Sequence, residues 1–183
     1  MSQRFPFRIS LAMTVLALAL MLPFLAPTAA ASELKGRAMD DMPRVDQVLV
    51  RKEERRLYLM AEDNVVRSYR ISLGDNPSGH KLFEGDERTP EGEYVLDWRN
   101  ANSDFYKSIH ISYPNDQDRS MAQAWGQDPG GSIMIHGLPN DVGDMAFAYT
   151  GLDWTDGCIA VNNAEMDEIW QLVSDGTPIQ ILP

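Results

Sequence analysis

The chain has 183 residues, 44% of them hydrophobic, and a formal net charge of −11. That content suits a globular domain with a sizeable core and excludes a disordered or fibrous chain. The acidic excess argues against nucleic acid or an anionic membrane surface as partner, because both call for a basic face.

The first residues read as a leader. Met1 to Arg8 carries Arg4 and Arg8 and no acid, Ile9 to Ala26 is almost wholly apolar, and Pro27-Thr28-Ala29-Ala30-Ala31 follows. A basic start, an apolar run and an A-x-A end predict a secretory signal peptide over residues 1–31, cut after Ala31, and hence export to the periplasm or cell envelope. The length of the apolar run also leaves an uncleaved anchor helix open. Residues 32–43 are short and mixed, as in a linker, and residues 44–183 form the folded domain.

From Val45 the pattern turns to period two. Val48 and Val50 alternate with polar residues, Leu57, Leu59 and Ala61 share a face, and so do Tyr69, Ile71 and Leu73, with a turn at Glu62-Asp63-Asn64. These predict two or three antiparallel strands. A Gly-, Asp- and Pro-rich loop covers residues 74–87, and Thr89-Pro90-Glu91-Gly92 turns into a further strand with Tyr94, Leu96 and Trp98 on one face. Ile109, Ile111 and Tyr113 mark another. Asp116 to Trp125 fits a short helix stopped by Gly126. Ser132 to His136 reads as a strand ending at His136. A loop of 21 residues follows, with a helical stretch around Met145 to Tyr149, and then a short apolar strand from Cys158 to Val161. Asn162 caps the clearest helix, Glu165 completes a box-like start, and Met166, Ile169, Trp170 and Val173 lie on its apolar face. Gly176 ends it, and Pro178 to Leu182 is a last strand with Ile179 and Ile181 inward. The predicted class is mainly β with one amphipathic α-helix after the cysteine.

Cys158 is the only cysteine. An exported chain with one Cys makes no internal disulfide, so the thiol is either a small buried apolar residue or a reactive group. Gly157 directly before it permits a tight turn, and the amides of Gly157 and Cys158 are candidates to hold an oxyanion during acyl transfer. A thiol needs a base, and an imidazole supplies one. Of three histidines, His136 is the best placed, at a strand end before Gly137; His110 is a mid-strand alternative, and His80 sits in a polar loop. One Cys and no close-spaced ligand pair argue against a zinc site. A wall-binding β module with a buried Cys158 is the non-enzymatic alternative.

The stretch Ile135-His136-Gly137, followed by Thr155-Asp156-Gly157-Cys158-Ile159, resembles the signature of the L,D-transpeptidase catalytic domain, the YkuD family. Leu57-Tyr58-Leu59, Tyr69 with residues 71–74, Thr89-Pro90-Glu91-Gly92 and Gly176-Thr177-Pro178-Ile179 resemble its opening strands, its Thr-Pro-x-Gly turn and its closing strand. The resemblance extends over residues 45–182 and implies a β-sandwich or barrel-like fold. It implies Cys158 as nucleophile, His136 as proton carrier and the Gly157 amide in the oxyanion hole, with His110, Gly137 and Thr155 as substrate-binding residues and no metal or organic cofactor. The implied substrate is a peptidoglycan tetrapeptide stem, whose acyl group passes through a Cys158 thioester to an amine. Where many members carry Arg two residues after the Cys, this chain has Ala160. That variant resembles a branch containing an enzyme that hydrolyses the bond between peptidoglycan and an attached lipoprotein. Water as acceptor, with an envelope lipoprotein as partner, is therefore the alternative.

Overall fold

The computed structural model describes residues 44–149 and 151–183. The expected leader (1–31) and linker (32–43) lie outside the described residues. Eight strands follow in chain order: β1 (Gln47–Arg51), β2 (Arg56–Ala61), β3 (Asn64–Arg70), β4 (Gly92–Ser103), β5 (Tyr106–Ile111), β6 (Met134–His136), β7 (Ile159–Ala160) and β8 (Thr177–Leu182). The helices are α1 (Asp116–Ala124) and α2 (Asn163–Leu172), with a 3-10 turn over Gly143–Tyr149. The short helix anticipated after residue 115 is thus a second α-helix; Asn115 and Asp118 cap it reciprocally, and the left-handed Gly126 (φ 66°) follows its end.

The strands form one mixed sheet in the order β3-β2-β1-β8-β4-β5-β6-β7. The last strand in sequence is inserted near its middle, parallel to β1 and antiparallel to β4. Just beyond β3 the chain meets the opposite end of this order: Ser72 N–H donates to the Ala160 carbonyl and Ala160 N–H to that of Ser72, both at 2.9 Å. The two ends are thereby joined and the sheet curls into the barrel-like closure that the resemblance implied. The bridge pairs backbone groups at Ser72 and Ala160, whereas β3 itself pairs with β2.

Alternation sets the core. Val48, Val50, Leu57, Leu59, Tyr69, Tyr94, Leu96, Ile109, Ile111, Ile179 and Ile181 all point inward and are buried. Trp98, expected beside Tyr94 and Leu96, is 44% exposed. The register between β4 and β5 shifts between Leu96 and Arg99, and this bulge turns Trp98 out of the alternation. Helix α2 seals the core with Met166 and Ile169. Its other anchor is Arg99 of β4, which lies 5.1 Å from the Trp170 ring centre and donates to the Trp170 carbonyl at 2.6 Å and to that of Val173. A cation on the last carbonyls of a helix is favourably placed for its dipole.

Ile169 is fully buried between α2 and the sheet. Ile169→Ala is expected to lower unfolding stability by about 2–4 kcal/mol, read from the urea midpoint at unchanged m-value. A shift of a few tenths of a kcal/mol would mean that α2 does not seal the core.

Candidate active site

Strands β6 and β7 pair in parallel, with Ile135 opposite Ile159 and His136 opposite Ala160. Ile135 and Ile159 enter the core. Period two then places Met134, His136 and Cys158 on the other face. His136 and Cys158 line one cleft of about 330 Å³, with Phe105, Trp154 and Thr155 among the other wall residues.

The cysteine turn is fixed by its neighbours. Gly157 has φ 120°, and a Cβ there would lie 2.5 Å from the Arg88 carbonyl oxygen. Only glycine fits both the conformation and the space. Thr155 is buried and braces the turn from within: its hydroxyl accepts from Gly157 N–H at 3.2 Å and donates to the Cys158 carbonyl at 2.8 Å. Residues 153–155 are in turn sewn to the chain after β3. Trp154 and Thr155 donate to the Leu73 carbonyl, and Leu73 N–H donates to Asp153, whose carboxylate also grips Arg55. The half-buried Cys158 thiol points toward the Ser132 carbonyl at 3.7 Å, and Ser132 itself is in the left-handed region (φ 56°).

His136 is buried, at 3% exposure. Its ring packs 4.7 Å from Phe105 and 5.7 Å, edge-on, from Trp154. Nδ1 lies 2.6 Å from the Gly137 carbonyl. A carbonyl only accepts, so Nδ1 carries the proton and the neutral ring keeps its lone pair on Nε2. The Gly137 carbonyl is itself held in place: Gly137 N–H donates to the carbonyls of Phe105 and Lys107, and the next amide, Leu138 N–H, donates to Asn163 Oδ1 at 2.9 Å. Asn140 ties the β4–β5 turn, which carries Asp104 and Phe105, to the same loop through Tyr106 N–H and the Ser103 carbonyl.

Burial pushes the Cys158 thiol above its ordinary value; a hydrogen bond from Met134 N–H works against this, and the Asp156 charge adds to it. Burial pushes the His136 imidazole below 6.5, the Gly137 hydrogen bond opposing it. Both shifts favour the neutral forms. The burial that disfavours a charged thiolate disfavours a charged imidazolium as well.

Of the expected site residues, Cys158, His136 and Thr155 line the cleft. Gly157 N–H donates to the Thr155 hydroxyl. Gly137 is buried, and a Cβ there would sit 2.6 Å from Asn163 Oδ1 and 2.9 Å from Tyr106 Cβ; its carbonyl meets His136 Nδ1. His110 does not line the cleft. It stacks on Trp98 at 4.9 Å, and its Nδ1 lies 2.6 Å from Asp97. Asn163, Phe105 and Trp154 were not singled out from the sequence. The one available signal was a second asparagine beside the Asn162 cap with no capping work to do.

Two outcomes follow from this geometry. Without substrate, iodoacetamide should label Cys158 slowly at neutral pH, with the rate rising only above roughly pH 8.5, the range of a free thiol; a plateau reached below that range would mean a resting ion pair. Gly157→Ala should cost about 1–3 kcal/mol in thermal unfolding and misplace the thiol, whereas wild-type stability would show that the positive φ is not required.

The family model of the L,D-transpeptidase catalytic domain, YkuD, matches residues 46–181. YafK of Escherichia coli K12, named after the same family, is 33% identical over 129 residues, covering 67% of this chain and 45% of that protein. The helical cell shape determining protein Pgp2 of Campylobacter jejuni superposes with a TM-score of 0.57 at 29% identity, over 76% of this chain and 48% of that one. Bd1075 of Bdellovibrio bacteriovorus shares the fold, at a TM-score of 0.52 and 23% identity, over 78% of this chain and 49% of that one. The chain thus spans about half the length of these relatives. With the matched region running from β1 to β8, the chain belongs to the L,D-transpeptidase catalytic domain family.

Proposed function

We propose that the domain is an exported cysteine acyltransferase of the cell envelope, acting on peptidoglycan tetrapeptide stems. The observation that carries this reading is the shared cleft of Cys158 and His136, in which the Gly137 carbonyl leaves the imidazole lone pair on Nε2. In the first half-reaction Cys158 Sγ attacks the carbonyl carbon of the L-centred third residue while its proton passes to His136. The carbonyl oxygen gains negative charge, and the Cys158 amide holds it, since the Gly157 amide is engaged with Thr155. The C–N bond then breaks and His136 returns the proton to the departing amine, leaving a thioester. In the second half-reaction an amine attacks the thioester, His136 again carrying the proton, and the thiol is regenerated.

Starting from a neutral pair suits this chemistry. A base whose proton affinity is lowered by burial stays unprotonated at neutral pH and becomes acidic enough to hand the proton on. Turnover therefore falls only when the pH drops through a value below 6.5, where His136 becomes protonated.

A second reading takes water as the acceptor, releasing the stem or a lipoprotein attached to it. It is favoured by Ala160, which is buried and stands where many family members carry a guanidinium. The chemistry at Cys158 is the same in both readings.

Incubation of the protein lacking residues 1–31 with a defined tetrapeptide muropeptide tests the proposal. Intact-mass analysis of quenched samples is expected to show the acyl adduct on wild type and not on Cys158→Ala. His136→Ala is expected to lower turnover at least about a hundredfold, and His110→Ala much less. Cross-linked products support an amine acceptor; a tripeptide alone supports water. An adduct that persists in Cys158→Ala contradicts the assigned nucleophile.

A further inference from the structure

Beside the cleft, on the outer face of the sheet, lies an arrangement that the acyl chemistry does not use. In the β4–β5 ladder Leu96 pairs with Ile111 and Arg99 with Ile109. Two residues, Asp97 and Trp98, therefore stand against one, His110, and both side chains close on it. Asp97 Oδ1 lies 2.6 Å from His110 Nδ1. The Trp98 indole stacks on the imidazole, with ring centres 4.9 Å apart and planes 16° from parallel. A carboxylate accepts, so His110 Nδ1 carries the proton and this bond fixes the ring that backs the indole. Arg99, the next residue, leaves by the other face to hold the last carbonyls of α2. Burying Trp98 beside Tyr94 and Leu96 would have added a large apolar area to the core. The bulge forgoes that stabilisation and holds the indole outside, 44% exposed. Bulges re-aim side chains in this way beside active sites.

The stack borders the cleft. Ser108, two residues before His110 on the same face of β5, lines the cleft, as do Asn100, two residues after Trp98, and Met134, the β6 partner of His110. We propose that the Trp98–His110 stack is a sugar-binding subsite. It holds a pyranose ring of the glycan strand while the stem attached to that strand runs along the cleft to Cys158. This rests on the stem-peptide reading above and adds the part of the substrate beyond the peptide. The chemistry suits a neutral sugar. The C–H bonds on one face of a pyranose carry slight positive charge and meet the negative face of an indole. Asp97 engages His110 through Oδ1 alone; among the described residues its Oδ2 has no hydrogen-bond partner and can accept from a sugar hydroxyl. The dimensions suit it too. Strands β5 and β4 lie two and three strand spacings from β7, about 10 and 14 Å. The three stem residues up to the scissile carbonyl span about 10 Å of extended chain. No bond is made or broken at the stack; it contributes binding.

The experiment compares two donors with the same tetrapeptide, one carrying the N-acetylglucosaminyl-N-acetylmuramyl disaccharide and one free. Their kcat/KM ratio is taken within one enzyme preparation, so partial unfolding cancels. Wild type is expected to favour the disaccharide donor about fivefold or more, mainly through KM. Trp98→Ala should bring the ratio close to one, and Trp98→Tyr, which keeps an aromatic face, should retain most of the preference. Calorimetry on Cys158→Ala should show the same preference without turnover, and Trp98→Ala in that background should abolish it. Equal kcat/KM for the two donors in wild type, or a preference that survives Trp98→Ala, overturns the subsite and leaves the thioester chemistry in place. Disaccharide-selective, Trp98-dependent binding to Cys158→Ala combined with no turnover of either donor by wild type supports the subsite and overturns the thioester chemistry instead.

Discussion

The site depends on a ladder of two residue pairs. Ile135 opposite Ile159 and His136 opposite Ala160 fix β6 and β7 side by side, and that register decides which side chains leave the core. Because successive residues of a strand face opposite ways, a slip of one residue would send Cys158 toward the core and Ile159 into the cleft. The ladder is too short to hold itself. Its register is secured from both sides: β5 pairs with β6 through Ser108, Ile109 and His110, and Ser72 grips Ala160 through two hydrogen bonds. Barrel closure and active-site geometry are thus one constraint, since the bonds that join the ends of the sheet also hold the strand that follows the cysteine.

Around this ladder the protein spends its polar interactions on backbone. Thr155 serves the cysteine turn, Asn163 and Asn140 the loop after His136, and Asp153 the chain beyond β3. Each replaces a bond to water with one inside the fold, and each fixes a residue one step removed from the chemistry. The reactive pair receives the opposite treatment: it is desolvated and left neutral. Desolvation disfavours charge on both partners, so the proton is poised to move only when a substrate carbonyl supplies a place for negative charge.

Much of this was legible in the sequence for local reasons. The alternation at Val48/Val50, Leu57/Leu59 and Ile179/Ile181 found β1, β2 and β8, and the Asn162–Glu165 box found the start of α2. Glu62 and Asp63 take positive φ, as their turn chemistry suggested. Insertion of β8 between β1 and β4 was not legible, because it pairs residues far apart in the chain, and no period or cap reports such a partner. Trp98 was misplaced because a bulge leaves no mark in the alternation. Among site residues, Cys158 and His136 came from residue type, position and family resemblance. Gly137 and Gly157 were singled out from the sequence, but how tightly their surroundings exclude a side chain depends on segments far away in the chain. The contact of His110 with Asp97, on the neighbouring strand, was not legible because it is set by the bulged β4–β5 register. Phe105 and Trp154 reach His136 from a turn and a loop, where sequence carries no register at all.

The central claim is that the fold holds His136 as a neutral ring protonated on Nδ1, with Nε2 free to accept the thiol proton. Imidazole nitrogen-15 chemical shifts measure this directly, and with only three histidines the signals can be assigned by substituting His80 and His110. At neutral pH, before substrate is added, the account predicts an Nδ1–H tautomer for His136, with an unprotonated Nε2. Two protonated nitrogens, as in an imidazolium paired with a thiolate, or a proton on Nε2 alone would contradict it.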